Sequence, residues 1–187
     1  MNDPAHPIAT SSQTVGPFFH FGLAEDAGLG RIVAPDAAGD HIQLRIRVLD
    51  GEGAPVPDAL IELYHADADG NYDQGTGERG FHGFGRLPTD ADGTSIFATI
   101  KPGVVRSGGV EQAPHVNVCL LSRGLLRQIY TRIYFEGDPG VATDPVLGIV
   151  PPDRRHTLMA HPAAAGNDTW DFVIRLQGDD ETVFFDL

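Results

Sequence analysis

Between residues 41 and 48 apolar and polar side chains alternate without a break: Ile42, Leu44, Ile46 and Val48 against Gln43, Arg45 and Arg47. A period of two is the mark of a strand with one buried face, and a helix cannot gather those four apolar residues on one side. The pattern recurs at Val116, Val118 and Leu120 against Asn117 and Cys119. It recurs again at Trp170, Phe172, Ile174 and Leu176 against Asp171, Val173, Arg175 and Gln177. Further β-rich runs lie at 59–66, 96–100 and 129–135, and 182–187 closes the chain. Asp50-Gly51-Glu52-Gly53, Asp67-Ala68-Asp69-Gly70 and Thr89-Asp90-Ala91-Asp92-Gly93 supply turn chemistry between them. Seven or so short strands joined by Gly-rich turns predict a mainly β, single-domain β-sandwich over residues 40–187. One short helix is expected to open at Pro152-Asp153 and run to Ala160, with Pro162 as its stop. Residues 1–39 have no period but carry Phe18, Phe19 and Phe21. They read as an irregular N-terminal arm that packs on a partner subunit, since aromatic residues of this kind do not stay in water.

The charge balance excludes several functions. The chain has 187 residues, a formal net charge of −13, and Lys101 as its one lysine. Nucleic acid and anionic membranes both select a basic face, so neither is an expected partner. An anionic substrate would need a local cation against the global field. Cys119, the one cysteine, permits no intrachain disulfide and reads as a small buried hydrophobe. The first thirty residues hold no apolar stretch of signal-peptide length and no later run could span a bilayer, which makes the cytoplasm the expected location.

Motifs for self-contained chemistry are missing. Asp67, Asp69, Asn71, Asp73 and Glu78 occupy the ligand positions of an EF-hand loop, but Tyr72 stands where that loop needs Gly, and the flanks read as strand and Gly-rich loop. The run is therefore read as a solvated acidic turn. His20, His65, His82, His115, His156 and His161 show no His-x-His or His-x3-His spacing, and a lone strand histidine is usually structural. No Gly-x-Ser-x-Gly, P-loop or dinucleotide fingerprint occurs.

Seven segments together resemble one family. They are Thr14-Val15-Gly16-Pro17-Phe18-Phe19-His20, Leu63-Tyr64-His65-Ala66-Asp67-Ala68-Asp69-Gly70-Asn71-Tyr72, Lys101-Pro102-Gly103-Val104-Val105, Ala113-Pro114-His115-Val116-Asn117, Thr131-Arg132-Ile133-Tyr134-Phe135-Glu136-Gly137-Asp138-Pro139, Gln177-Gly178 and Glu181-Thr182-Val183-Phe184-Phe185-Asp186. In this order and spacing, from about residue 12 to the C-terminus, they are similar to the intradiol ring-cleavage dioxygenases. The resemblance implies a β-sandwich of that type and a reaction at Fe(III). It implies two tyrosine and two histidine ligands, hard phenolate oxygen and imidazole nitrogen suiting a ferric ion. Carried over position by position, the tyrosines fall on Tyr72 and Val105, and the histidines on His115 and Asn117. A basic residue three positions before the first histidine falls on Gln112. Two of four ligands are absent, so Tyr72, Val105, His115 and Asn117 are expected to be vestigial ligand positions. No metal and no catalytic residue is then expected in this chain alone.

The resemblance thus implies the non-iron-binding α member of an αβ heterodimer with higher assembly, whose homologous β chain carries the Fe(III). The implied reaction is cleavage of 3,4-dihydroxybenzoate, a small aromatic substrate, to 3-carboxy-cis,cis-muconate. Thr14, Gly16 and Pro17 of the arm, and Arg132, are the residues it offers to the partner's substrate pocket, a guanidinium suiting the substrate carboxylate. Subunit packing for the arm and an internal ion pair for Arg132 are the competing readings. Two other functions also stand open: a self-sufficient catechol dioxygenase with unrecognised ligands, and a non-enzymatic sandwich module that binds through the Phe18-Phe19 arm.

Overall fold

The alternation of the sequence is the burial pattern of strand β1 (His41–Leu49), where Ile42, Leu44, Ile46 and Val48 are buried and His41, Gln43, Arg45 and Arg47 are exposed. The computed structural model describes residues 22–73, 80–164 and 168–186. It adds β2 (Leu60–His65), β3 (Phe84–Pro88), β4 (Thr94–Ile100), β5 (Val105–Ser107) and β6 (Val110–Gln112). There follow β7 (His115–Leu121), β8 (Ile129–Phe135), helix α1 (Pro145–Ile149), β9 (Met159–Pro162) and β10 (Thr169–Arg175).

Eight strands pair in the order β3-β2-β7-β8-β9-β10-β1-β4, and β5 and β6 form a separate hairpin. The short β9 is the seam: it runs parallel to β8 and antiparallel to β10. On either side of it the strands turn their apolar faces toward each other. Leu44, Ile46, Phe97, Phe172 and Ile174 from one layer join Ile61, Leu63, Val118, Leu120 and Ile133 from the other in a single core cluster. Each such side chain contributes about 1.5–3 kcal/mol on burial, which makes this face-to-face contact the main stabilising term.

A buried histidine makes one of the polar contacts between the layers. His65, at the end of β2, is fully buried. Its Nδ1 lies 2.8 Å from the Ala66 carbonyl oxygen and its Nε2 lies 2.8 Å from Thr99 Oγ1 of β4. The carbonyl can only accept, so Nδ1 carries the proton and Nε2 accepts from the Thr99 hydroxyl. Burial pushes the His65 pKa down to about 4.

A second apolar cluster, with Ala113, Tyr134, Leu147, Val150 and Leu158, covers the outer face of the β7–β8 layer. The buried Asp144 organises it. Its Oδ1 accepts from the backbone N–H groups of Val146 and Leu147, which caps α1, and from the Tyr134 hydroxyl at 3.0 Å. Its Oδ2 accepts from the Ala113 N–H at 2.8 Å. A carboxylate that caps a helix and holds two other elements is spending its charge on hydrogen bonds.

Three expectations change. The stretch predicted as a helix to Ala160 is a 3-10 helix at Pro152–Leu158, and the chain then enters β9. Sheet pairing wins there, because Met159 and Ala160 bond to β8 while His161 and Pro162 bond to β10. Cys119 is half-buried on the outer face of β7, because its neighbours Val118 and Leu120 take the core side. Its thiol pKa is pushed up to about 11 by burial and by Glu62. Ile32 and Val33, in the segment read as an arm, are buried in this chain's own core, with the Ile32 N–H bonded to the Ala98 carbonyl. Residues 1–21 of the arm lie outside the described residues.

Two outcomes follow for stability. The unfolded chain takes up a proton at His65 below pH of about 6.5, and the folded chain only near pH 4. Stability is therefore intact above the upper value and falls as pH drops through that window, by about 3 kcal/mol at most. Unfolding free energies from urea titrations near pH 7 and near pH 4 should differ by that much more in the native chain than in His65→Gln; equal differences would exclude His65 as a source. Asp144→Ala should cost about 3 kcal/mol or more in the same assay, from the lost cap and orphaned buried donors. Removing the exposed Arg45–Asp171 pair, 2.6 Å apart, should cost no more than about 1 kcal/mol.

Candidate functional site

The site grows out of β7. Val116, Val118 and Leu120 point to the core, so His115 and Asn117 share the opposite face. Asn117 lies directly across from Tyr64 of β2 and from Arg132 of β8, and His115 lies across from Tyr134. Directly opposed residues in antiparallel strands share a face. Register alone thus assembles a polar row on the outside of this layer.

The loop after β2 folds Tyr72 over that row. Asp67 Oδ1 accepts from the N–H groups of Asp69 and Asn71, and Gly70 sits at a φ of +85°. This turn is seated against Lys101-Pro102-Gly103, with the Gly103 N–H donating to the Asp67 carbonyl at 2.8 Å. A β-carbon on Gly70 would collide with the Val104 carbonyl oxygen, and one on Gly103 with the Ala68 carbonyl oxygen. Both positions need glycine for the two loops to touch, and their contact sets Val105 beside Tyr72. The Tyr72 ring stacks on Tyr64 at 5.0 Å between centroids. Asp67 Oδ1 is occupied by its own turn. Glu78, the last position of the calcium-like run, lies outside the described residues.

At the centre three side chains bond to one another. His115 Nδ1 is 2.7 Å from the Ala113 carbonyl and so carries the ring proton. Its Nε2 then accepts from the Tyr72 hydroxyl at 3.2 Å. Asn117 Nδ2 donates to Tyr72 Oη at 3.0 Å and to the Tyr64 carbonyl at 3.1 Å. Burial raises the Tyr72 pKa, with the Asn117 hydrogen bond and the Arg132 charge acting against it. Burial lowers the His115 pKa, helped by Arg132. Phenol and imidazole are therefore both neutral near pH 7. Val105, the fourth position, offers a buried isopropyl group. A ferric ion needs anionic oxygen and several donors with free lone pairs. This set offers one phenol oxygen and one imidazole nitrogen, hydrogen-bonded to each other, and ends in an amide and an alkyl group. It does not suit Fe(III). Among the described residues no three His, Cys, Asp or Glu side chains are grouped as a metal would require.

Beside this network lies an open cleft of about 510 Å3, lined by Tyr72, Val105, Arg106, Ser107, Gln112 and Arg132 among others. Arg106 is paired with Glu111 at 2.6 Å. Arg132 donates from a terminal guanidinium nitrogen to Gln112 Oε1 at 2.7 Å. The four positions named as vestigial ligands are thus brought to one place, together with Gln112 and Arg132. Thr14, Gly16 and Pro17 lie outside the described residues. Sequence reading passed over Tyr64, which supports the Tyr72 ring, and Asp144, which fixes Ala113 and Tyr134 behind His115. Tyr64 was visible in principle, two residues from Glu62 on the polar side of β2.

Comparison with known proteins places this geometry. The family model described as Dioxygenase matches residues 14–178. The chain is 42% identical over 193 aligned positions to the protocatechuate 3,4-dioxygenase alpha chain of Pseudomonas putida, spanning 95% of this chain and 96% of that one. It is 31% identical to the protocatechuate 3,4-dioxygenase beta chain of Burkholderia cepacia, spanning 91% of this chain and 77% of that one. Among solved structures, the dioxygenase domain of a dioxygenase–carbohydrate-binding fusion from Streptomyces sp. SirexAA-E superposes with a TM-score of 0.65 at 25% identity, covering 91% of this chain and 99% of that one.

If the missing donors alone decide metal binding, Val105→Tyr combined with Asn117→His should bind about one iron per chain. The sign is the visible tyrosinate-to-Fe(III) absorption band after incubation with ferric iron. The native chain and each single variant should stay colourless. A coloured native chain would show that Tyr72 and His115 suffice.

Proposed function

This chain belongs to the intradiol dioxygenase family, and we propose that it is the non-iron-binding α subunit of a protocatechuate 3,4-dioxygenase, with the Fe(III) held by a homologous β chain. The observation that carries the reading is the closed Tyr72–His115–Asn117 network beside Val105, which leaves the family's ligand positions without a ferric donor set. The similarity to an alpha chain along 95% of the sequence supports it, and the match to a beta chain supports a homologous partner.

In this reading the assembled enzyme cleaves 3,4-dihydroxybenzoate between its two hydroxyl-bearing carbons, both atoms of O2 entering the product 3-carboxy-cis,cis-muconate. This chain performs none of the bond-making steps. It stabilises the assembly and shapes the approach to the partner's site. Thr14, Gly16 and Pro17 are proposed to lie against the mouth of that site, where glycine permits close backbone approach. Arg132 is proposed to attract the substrate carboxylate, its guanidinium being bound to a neutral amide and so keeping its charge for a ligand.

The test is expression of this chain alone and together with a homologous chain that keeps both tyrosines and the His-x-His pair. Alone it should be colourless and inactive. The co-purified complex should be iron-red and active, with about one Fe(III) per pair of chains. Stoichiometric iron and turnover from the isolated chain would overturn the reading, and failure to co-purify with the intact homologue would favour a binding module instead.

A further inference from the structure

The two layers use their outer faces differently. Outside the β7–β8 layer lie the candidate site and the cluster around Tyr134 and Leu147. The β10–β1–β4 layer bears no such cluster among the described residues, and Arg45, Arg47, Ile96 and Val173 stand exposed on it. Register gathers these side chains on one surface: Arg45 lies across from Asp171 and Ile96, and Arg47 across from Val173. Strands β1 and β10 run parallel, and parallel pairing is at home in sheets covered on both faces. Ile96 is 50% exposed and Val173 45%, apolar area that a covering surface would take from water. The charge of this face also differs from that of the whole chain. Its three strands present Arg45 and Arg47 against Asp171 alone, in a chain of formal net charge −13. Two copies of so acidic a chain repel across most of their surfaces, and least here.

We propose that the outer face of β10–β1–β4 docks a second copy of this chain, through a two-fold contact that joins two αβ pairs. Such a contact requires a patch complementary to itself. Arg45 and Asp171 meet that requirement, a cation and an anion 2.6 Å apart on neighbouring strands and both part-exposed. A two-fold axis running between β1 and β10, along the strands, sets Arg45 of each copy over Asp171 of the other. The two intrachain pairs then merge into one network of two guanidinium and two carboxylate groups. The same axis lays the aliphatic stem of Arg47 over Val173 of the other copy. The proposal rests on the subunit reading for the pairs that are joined; the face itself belongs to this chain.

The experiment is sedimentation equilibrium of the co-purified complex, with ring-cleavage activity and iron content recorded in parallel. The native complex should have the mass of an even number of αβ pairs. Asp171→Arg brings like charges together at the axis and should lower that mass to half or less. Arg45→Asp combined with Asp171→Arg should restore it, because cation and anion again face each other both within and between copies. Ile96→Lys, at a half-exposed position that folding tolerates, should act as Asp171→Arg does. Activity and iron per pair should stay at native levels in all three, which shows that the variants are folded. An unchanged mass in Asp171→Arg would overturn the proposal. So would a double variant that stays dissociated, since the face would then meet a surface other than its own copy. A native mass of one αβ pair would overturn it as well and leave the subunit reading intact. If the chain purifies without an iron-bearing partner, the subunit reading fails. Self-association of the chain alone, lost in Asp171→Arg and regained in the double variant, is still required.

Discussion

Strand β7 sits between β2 and β8, and this placement organises the molecule. Its inward residues Val116, Val118 and Leu120 join the core that unites the two layers, and its outward residues His115 and Asn117 form the floor of the candidate site. One two-residue period therefore serves stability and site construction together. A slip of one residue in its register would drive His115 and Asn117 into the apolar core, at a cost far above any single contact. The register is fixed from both sides, by Tyr64 opposite Asn117 on one edge and Arg132 opposite it on the other.

The site keeps its shape without a metal because its polar groups satisfy each other. A buried phenol and imidazole left without partners would each cost about 1–3 kcal/mol. Here His115 is fixed from behind by the Ala113 carbonyl, Tyr72 bonds to His115, and Asn117 closes the set. Asn117 is the telling residue: an amide donates to the hydroxyl it faces and to the Tyr64 carbonyl, two contacts that a metal-bound imidazole could not make through the same atoms. Tyr72, His115 and Asn117 form a closed hydrogen-bond network. The glycine-dependent contact between the Asp67 turn and Lys101-Pro102-Gly103 maintains the approach of Tyr72 to Val105.

Much of this was legible in the sequence, for identifiable reasons. Strands with one wet face, such as β1 and β10, announce themselves by alternation, and the turns between them by Asp-Gly chemistry. The segments that escaped are short or mixed. β9 has four residues and pairs with two different neighbours, so its identity depends on long-range contacts and not on its own pattern. Helix α1 has five residues and depends on the cap from Asp144. Cys119 looked apolar because its neighbours are, yet alternation sends it outward. The convergence of Tyr72, Val105, His115 and Asn117 was read through resemblance to a family, since residues so far apart in sequence carry no spacing signal. What resemblance did not reveal was the contact between Arg132 and Gln112, which depends on the cross-strand geometry of this particular chain.

The central claim is that this chain's ligand positions are closed to iron. Anomalous X-ray scattering at the iron absorption edge, from crystals of the chain assembled with its intact homologue, tests it most directly. The account predicts one iron peak per pair of chains, within the homologue, and none between Tyr72 and His115. A peak at that position in this chain would contradict it.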